Sequence, residues 1–378
     1  MSNMYSHVGE NLSVSALVVD GDLHLRVGDT QVDIAAIWLR DSCPCPESRG
    51  VGNGQKLFNI VDLPADTRVE QVRIVGRNVE VEFAPDGHRG VFDVEDLIAA
   101  DAPPRLADTR SESAKRLWRK ASEVSSLQWS AWSDYLADPA PALRAVVDEG
   151  FALLRGVPTE LGQVVAVAET FGFVRKTNYG TIFDVRVEEN PVNLAFTGLA
   201  ISPHTDNPYR DPVPTLQLLH CIHNSTVGGE SGLVDGFAAA ATLREKDPRA
   251  FDILTSTAVT FRFDSADTHL STVAPMITLD HSGRICEIRF NNRSMVAPRL
   301  KPDVSREFYS AYRTFAELLY GPDAQLNFQL DAGDCLIFDN TRLLHARTAF
   351  AATGGRHLQG TYADLDGLLS TLHIHEEK

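Results

Sequence analysis

Residues 13–98 alternate apolar and polar positions in short runs. SALVVDGDLHLRV breaks at Gly21-Asp22, and RVEQVRIVGRNVEVEF breaks at Gly-Arg-Asn. Both patterns predict pairs of strands joined by turns. From about Asp101 to Ser125 the pattern gives way to polar and charged residues with two prolines. A linker that partly becomes helix is expected there. The expected division is a small β-rich domain over 1–100, a linker over 101–125 and a larger domain over 126–378. In the larger part, LRAVVDEG and ELGQVVAVAETFG carry helical spacing, with the strand-like FALLRGV between them. From Asn193 onward short β-type segments dominate: VNLAFT, TLQLLHCIH, GLVDG, AVTFRF, PMITL, ICEIRFNN, DCLIFDN and HLQGTYAD. FAAAATLREKD and SREFYSAYRTFAELLYG interrupt them as helices. The order predicts a mainly β sandwich or barrel wrapped by helices.

Composition narrows the function classes. The chain has 378 residues and a formal net charge of −16. That balance argues against nucleic-acid binding, which draws on a basic surface. It leaves room for an anionic small molecule in a local cationic pocket. MSNMYSHVGENLSV shows neither a basic start nor an apolar run, so no secretory signal is expected. No apolar stretch is long enough to span a bilayer. Five scattered cysteines do not form a disulfide framework, and a reducing cytoplasm is the expected compartment.

The candidate chemistry begins at PHTDNPY. His204 and Asp206 flank one threonine, and alternate residues of an extended strand face the same side. A non-haem iron centre needs two histidines and one carboxylate on one face of the metal, with other positions open. FDNTRLLHART offers a distant third ligand, His345, after a β segment. Eleven residues later comes Arg356, on the next expected strand, where a guanidinium could hold a carboxylate such as that of 2-oxoglutarate. A His-x-Asp alone is commonplace, but the combination is specific. His220, His223 and His357 fit no such pattern and are read as structural.

With these motifs the chain resembles the γ-butyrobetaine hydroxylase branch of the taurine-dioxygenase superfamily. The resemblance runs from WLRDSCPCP to HLQGTYAD through GFALLRGVP, KTNYG, HTDNPY, LQLLHC, FNNRS and FDNTRLLHART. It implies a double-stranded β-helix (jelly-roll) core and Fe(II) on His204, Asp206 and His345. It also implies 2-oxoglutarate anchored by Arg356, dioxygen as oxidant, and a homodimer. Relatives carry Cys-x-Cys-x-x-Cys and a later histidine in the small N-terminal domain. Here Cys43, Cys45 and His88 match, but Ser48 stands where the third cysteine belongs. Zinc and a vestigial, metal-free cluster are equal alternatives, because a closed structural zinc site wants four ligands.

The resemblance also implies a substrate pocket. A trimethylammonium group has no hydrogen-bond donor, so ring faces must grip it. The cage positions carry Tyr179, Phe183, Phe196 and Tyr362. Asn193 and Asn292 match positions that bind the substrate's acidic group, with Asn207, Tyr209 and Arg293 nearby. A phosphonate rewards an added guanidinium more than a carboxylate does. Hydroxylation of 2-(trimethylammonio)ethylphosphonate next to phosphorus is therefore slightly favoured over hydroxylation of γ-butyrobetaine to L-carnitine. Arg210 is expected to pair with Asp211 at the surface.

Overall fold

A computed structural model describes residues 13–99, 111–124, 127–187, 197–350 and 355–377. It divides into two compact units, Met1–Ala107 and Asp108–Lys378. The first holds two antiparallel three-stranded sheets, Val14–Val19, Asp22–Val27, Thr30–Ile34 and then Arg68–Val75, Asn78–Ala84, Arg89–Asp93. Their alternating apolar residues, among them Leu23, Leu25, Val79, Val81 and Phe83, close one core with Cys43 inside it.

The second unit is a double-stranded β-helix. Its larger sheet has six strands, in the order Trp129–Ala131, Phe151–Arg155, Cys335–Asp339, Leu216–Asn224, Arg356–Ala363, Phe183–Arg186. The smaller has four, in the order Ile201–His204, Leu343–Arg347, Ser231–Asp235, Leu326–Phe328. Period-two alternation sorts the large sheet's side chains. Leu153, Leu219, Cys221, Leu336, Phe338 and Leu358 point inward to meet Leu233, Phe328 and Leu343 of the small sheet. Their neighbours Leu154, Leu216, Leu218, Cys335, Ile337 and Ala363 point outward, beneath helices Ala140–Glu149, Gln163–Glu169 and Leu365–Glu376. Gly150, at φ 96°, ends the first of these helices in the left-handed conformation that favours glycine.

The tail of the expected linker differs from the reading above. Residues 111–124 are packed on the barrel unit, where Trp118 is buried and its indole donates to the Glu149 carbonyl. The Trp118 amide donates to Asp235, whose carboxylate also caps helix Gly236–Lys246 and pairs with the fully buried Arg342. One carboxylate thus satisfies several buried donors, the condition under which a buried charge is tolerated. VNLAFT falls largely outside the described residues. No helix among the described residues is long and apolar enough to cross a membrane.

Candidate metal centre and substrate cavity

His204 and His345 face each other as register partners on two antiparallel strands, with ring centroids 4.2 Å apart. Asp206 lies two residues past the end of its strand, in a bend rather than on the extended strand that the spacing implied. Backbone hydrogen bonds hold it there instead. The Asn340 amide accepts from the Asp206 N–H at 2.7 Å and donates to the Asp206 carbonyl at 3.0 Å. Asn291 donates to the Thr205 carbonyl. The ligand-type atoms of His204, Asp206 and His345 all lie within 4.8 Å of one another.

The proton arrangement suits a cation. His204 Nδ1 donates to the Ser202 carbonyl at 2.9 Å, which fixes the tautomer and leaves Nε2 bare, 3.4 Å from Asp206 Oδ1. Burial drives the His345 pKa down to about 3, so its ring is neutral. Burial opposes ionisation of Asp206, but its surroundings outweigh that and hold the carboxyl well below its ordinary value; the Tyr362 hydroxyl donates to its Oδ2. Two imidazoles and one carboxylate are the donors that a divalent iron accepts.

The same cavity is lined by Tyr179, Phe183, Asn207, Tyr209, Arg293, Arg356 and Tyr362. Arg356 is buried and makes no ion pair with a described carboxylate; its Nε lacks a hydrogen-bond partner among the described residues. Burial works against its charge. Asn207 is buried at φ 54°, and neither atom of its amide finds a hydrogen-bond partner among the described residues. The aromatic wall is continuous. Phe183 stacks on Tyr362 at 5.1 Å, Tyr179 lies 6.4 Å from Phe183, and the Tyr179 and Tyr209 hydroxyls meet at 3.0 Å.

Some expectations fare differently. Asn193 and Phe196 lie outside the described residues. Asn292 is exposed and is not in the cavity lining; its carbonyl accepts from Tyr312, which draws it toward helix Pro302–Leu319. Its neighbour Asn291 is the buried one, and it serves the HTD backbone. Arg210 donates to Asn178 rather than pairing with Asp211, while Arg289 lies 3.9 Å from Asp211.

Sequence reasoning also missed residues. Phe263 stacks on Tyr209 at 5.1 Å and extends the aromatic wall from a hairpin that no spacing ties to the site. Gln217, buried with Oε1 unpartnered among the described residues, lines the cavity; an amide at an inward position of an apolar strand was a visible signal. Asp184 accepts from His357 at 2.6 Å and from Gln359 at 3.1 Å at the cavity's edge.

In the first unit, Cys43, Cys45 and His88 also converge, with His88 Nε2 at 3.3 Å from Cys43 Sγ and 3.5 Å from Cys45 Sγ. Ser48 is buried beside them, and its hydroxyl accepts from Arg40. Burial pushes the Cys45 thiol up, but hydrogen bonding with Ser48 and Cys43 outweighs it and lowers the pKa.

A two-histidine, one-carboxylate cluster in a cavity of a double-stranded β-helix, with a buried arginine that pairs with no described carboxylate lining the same cavity, defines the class of non-haem oxygenases. Comparison with known proteins narrows that class. Residues 112–362 match the family described as Taurine catabolism dioxygenase TauD, TfdA family. Residues 19–98 match the family described as Gamma-butyrobetaine hydroxylase-like, N-terminal. Gamma-butyrobetaine dioxygenase of Pseudomonas sp. (strain AK-1) is 35% identical over 89% of each chain. The Homo sapiens enzyme of the same name is 29% identical over 90% of each. A trimethyllysine dioxygenase of Meyerozyma guilliermondii is 27% identical over 89% of each. The chain belongs to the TauD/TfdA dioxygenase family, in its γ-butyrobetaine-hydroxylase-like branch.

Proposed function

We propose that the protein hydroxylates a small trimethylammonium zwitterion, with Fe(II) held by His204, Asp206 and His345 and 2-oxoglutarate anchored on Arg356. The observation that carries this reading is Arg356, a buried guanidinium without a carboxylate partner among the described residues, in the same cavity as the triad. Such a charge is costly unless an anion arrives to meet it. Iron with 2-oxoglutarate and dioxygen supplies a hydroxylating oxidant, with succinate and CO2 as the other products. The protein's own part is to hold and exclude. Tyr179, Phe183 and Tyr362 present ring faces to the cation, and the names of the relatives accord with a trimethylammonium substrate. Asn207 offers to the substrate's anionic end an amide without a hydrogen-bond partner among the described residues, and Arg293 adds a guanidinium to the cavity lining. With both ends anchored, one C–H bond is presented to the oxidant.

A phosphonate is slightly favoured over a carboxylate, because Arg293 lines the cavity and forms no ion pair with a described carboxylate. 2-(Trimethylammonio)ethylphosphonate is then hydroxylated at the carbon attached to phosphorus; γ-butyrobetaine, hydroxylated to L-carnitine, is the alternative. The test is succinate formation by anaerobically iron-loaded protein after oxygen is admitted, with each zwitterion and with none. Stimulation by the phosphonate, reduced about tenfold or more in Arg293→Gln, supports the first reading. Stimulation by γ-butyrobetaine alone supports the second, and stimulation by neither sinks both.

A second proposal concerns zinc on Cys43, Cys45 and His88. The three donors fit thiolate–imidazole coordination. The fit is incomplete at Ser48, a neutral hydroxyl already engaged by Arg40. The proposed zinc is therefore weakly held.

A further inference from the structure

We infer that the Tyr362 hydroxyl is a positioning group that keeps Asp206 on the metal through one oxygen, coupling the aromatic wall to the metal centre. The inference rests on the iron and cage reading above.

The two oxygens of Asp206 have different partners. Oδ1 lies 3.4 Å from His204 Nε2, inside the triad, whereas Oδ2 accepts from the Tyr362 hydroxyl at 2.9 Å. A carboxylate can hold a divalent cation through one oxygen or through both. A second oxygen on the metal would fill a position that the cosubstrate or oxygen needs. The hydrogen bond to Tyr362 ties Oδ2 down and keeps it from swinging in.

Tyr362 suits this task. It is buried, and its hydroxyl donates to Asp206 Oδ2. The Asp206 backbone is pinned by Asn340, which leaves rotation of the carboxylate group as the freedom that Tyr362 removes. The ring of the same residue stacks on Phe183 at 5.1 Å and 29°. Ring and hydroxyl thus serve separate ends of the site, and any shift of the ring on cation binding is passed to Oδ2.

Tyr362→Phe separates the two roles, because it keeps the ring and removes only the hydroxyl. Co(II) binding, followed anaerobically by its ligand-field absorption without cosubstrate, reads the metal centre directly. The expected result is an altered band of lower intensity, as the freed Oδ2 joins the metal and raises its coordination number, together with a changed affinity. In turnover, kcat falls while KM for the zwitterion holds, whereas Tyr362→Leu raises KM as well. Wild-type Co(II) affinity and spectrum in Tyr362→Phe would overturn the inference. The Co(II) titration needs neither 2-oxoglutarate nor substrate. A wild type whose Co(II) spectrum differs from that of the variant but which turns over no zwitterion would therefore refute the substrate reading alone.

Discussion

Gly360 offers the sharpest test of the aromatic cage. It pairs in register with Phe183 on adjacent antiparallel strands. A Cβ built at 360 would lie 2.2 Å from Phe183 Cζ and 2.4 Å from Cε2. Atoms cannot approach so closely, and position 360 lies on a strand with a hydrogen-bonded neighbour on each side, so the Phe183 ring must give way. In Gly360→Ala the cation loses one ring face. A cation–π contact in a partly desolvated site is worth about 1–2 kcal/mol, which is about a 5- to 30-fold rise in KM for the trimethylammonium substrate. The KM for 2-oxoglutarate should hold, because Arg356 lies at the far end of the same strand. Initial rates of succinate formation measure both constants. A double-mutant cycle sharpens the test. Phe183→Ala should raise KM by a similar factor, and adding Gly360→Ala to it should change little more, within about 0.5 kcal/mol. A wild-type KM in Gly360→Ala, or strictly additive effects in the double variant, would refute the reasoning.

Arg356→Met should raise the KM for 2-oxoglutarate by about a hundredfold or more, the loss of two charge-assisted hydrogen bonds; an unchanged KM would displace the anchor from Arg356. Ser48→Cys should tighten zinc binding at least about tenfold in chelator competition, by completing the four soft ligands; equal affinity would mean that the serine corner is not the weak point. Lys115 is buried without a hydrogen-bond partner among the described residues, and burial lowers its pKa from 10.5 to about 8. Its charged form is therefore penalised in the folded state; the penalty is complete below pH 8 and is relieved as pH rises toward 10.5. Lys115→Met should stabilise the protein by about 2–3 kcal/mol at pH 7, seen as a higher Tm, with the gain shrinking at pH 9.5. A gain that does not shrink with pH would rule out this cause.

Much of the site was legible because its chemistry needs rare residue combinations. His204, Asp206, His345 and Arg356 can be singled out by type and spacing, and the structure gathers them around one cavity. What sequence could not carry was the backbone that holds them. Asp206 is not presented by strand alternation. A bend does it, pinned by Asn340, a residue more than a hundred positions away. The same limit explains the choice of Asn292 over Asn291, since neighbouring amides in FNNRS differ only in which way the turn aims them. Phe263 was invisible because its contact with Tyr209 depends on how a hairpin folds back. The barrel itself was readable from its short strands, but their order in two sheets was not.

The strand Arg356–Ala363 shows how fold and site become one specification. Period two sends Arg356, Leu358, Gly360 and Tyr362 to the inner face, and their partners on Leu216–Asn224 are Asn224, Cys221, Leu219 and Gln217 in turn. The cosubstrate anchor and the cage tyrosine are thus six residues apart on one rigid element, roughly 20 Å of strand. Gly360 between them leaves the hole that Phe183 enters from the other side. A slip of one residue would turn all four outward and bring His357, Gln359 and Thr361 inward. That would replace the anchor, the hole and the hydroxyl together. Register is therefore under functional as well as packing constraint, because the outward set would also have to replace Ala363 in the layer beneath the helices. The bulge between Cys221 and His223 falls just before Arg356 pairs with Asn224. The extra residue lies on the Leu216–Asn224 strand, so it shifts which residue there faces Arg356, while Arg356–Ala363 keeps the register on which Tyr362 and Asp206 depend.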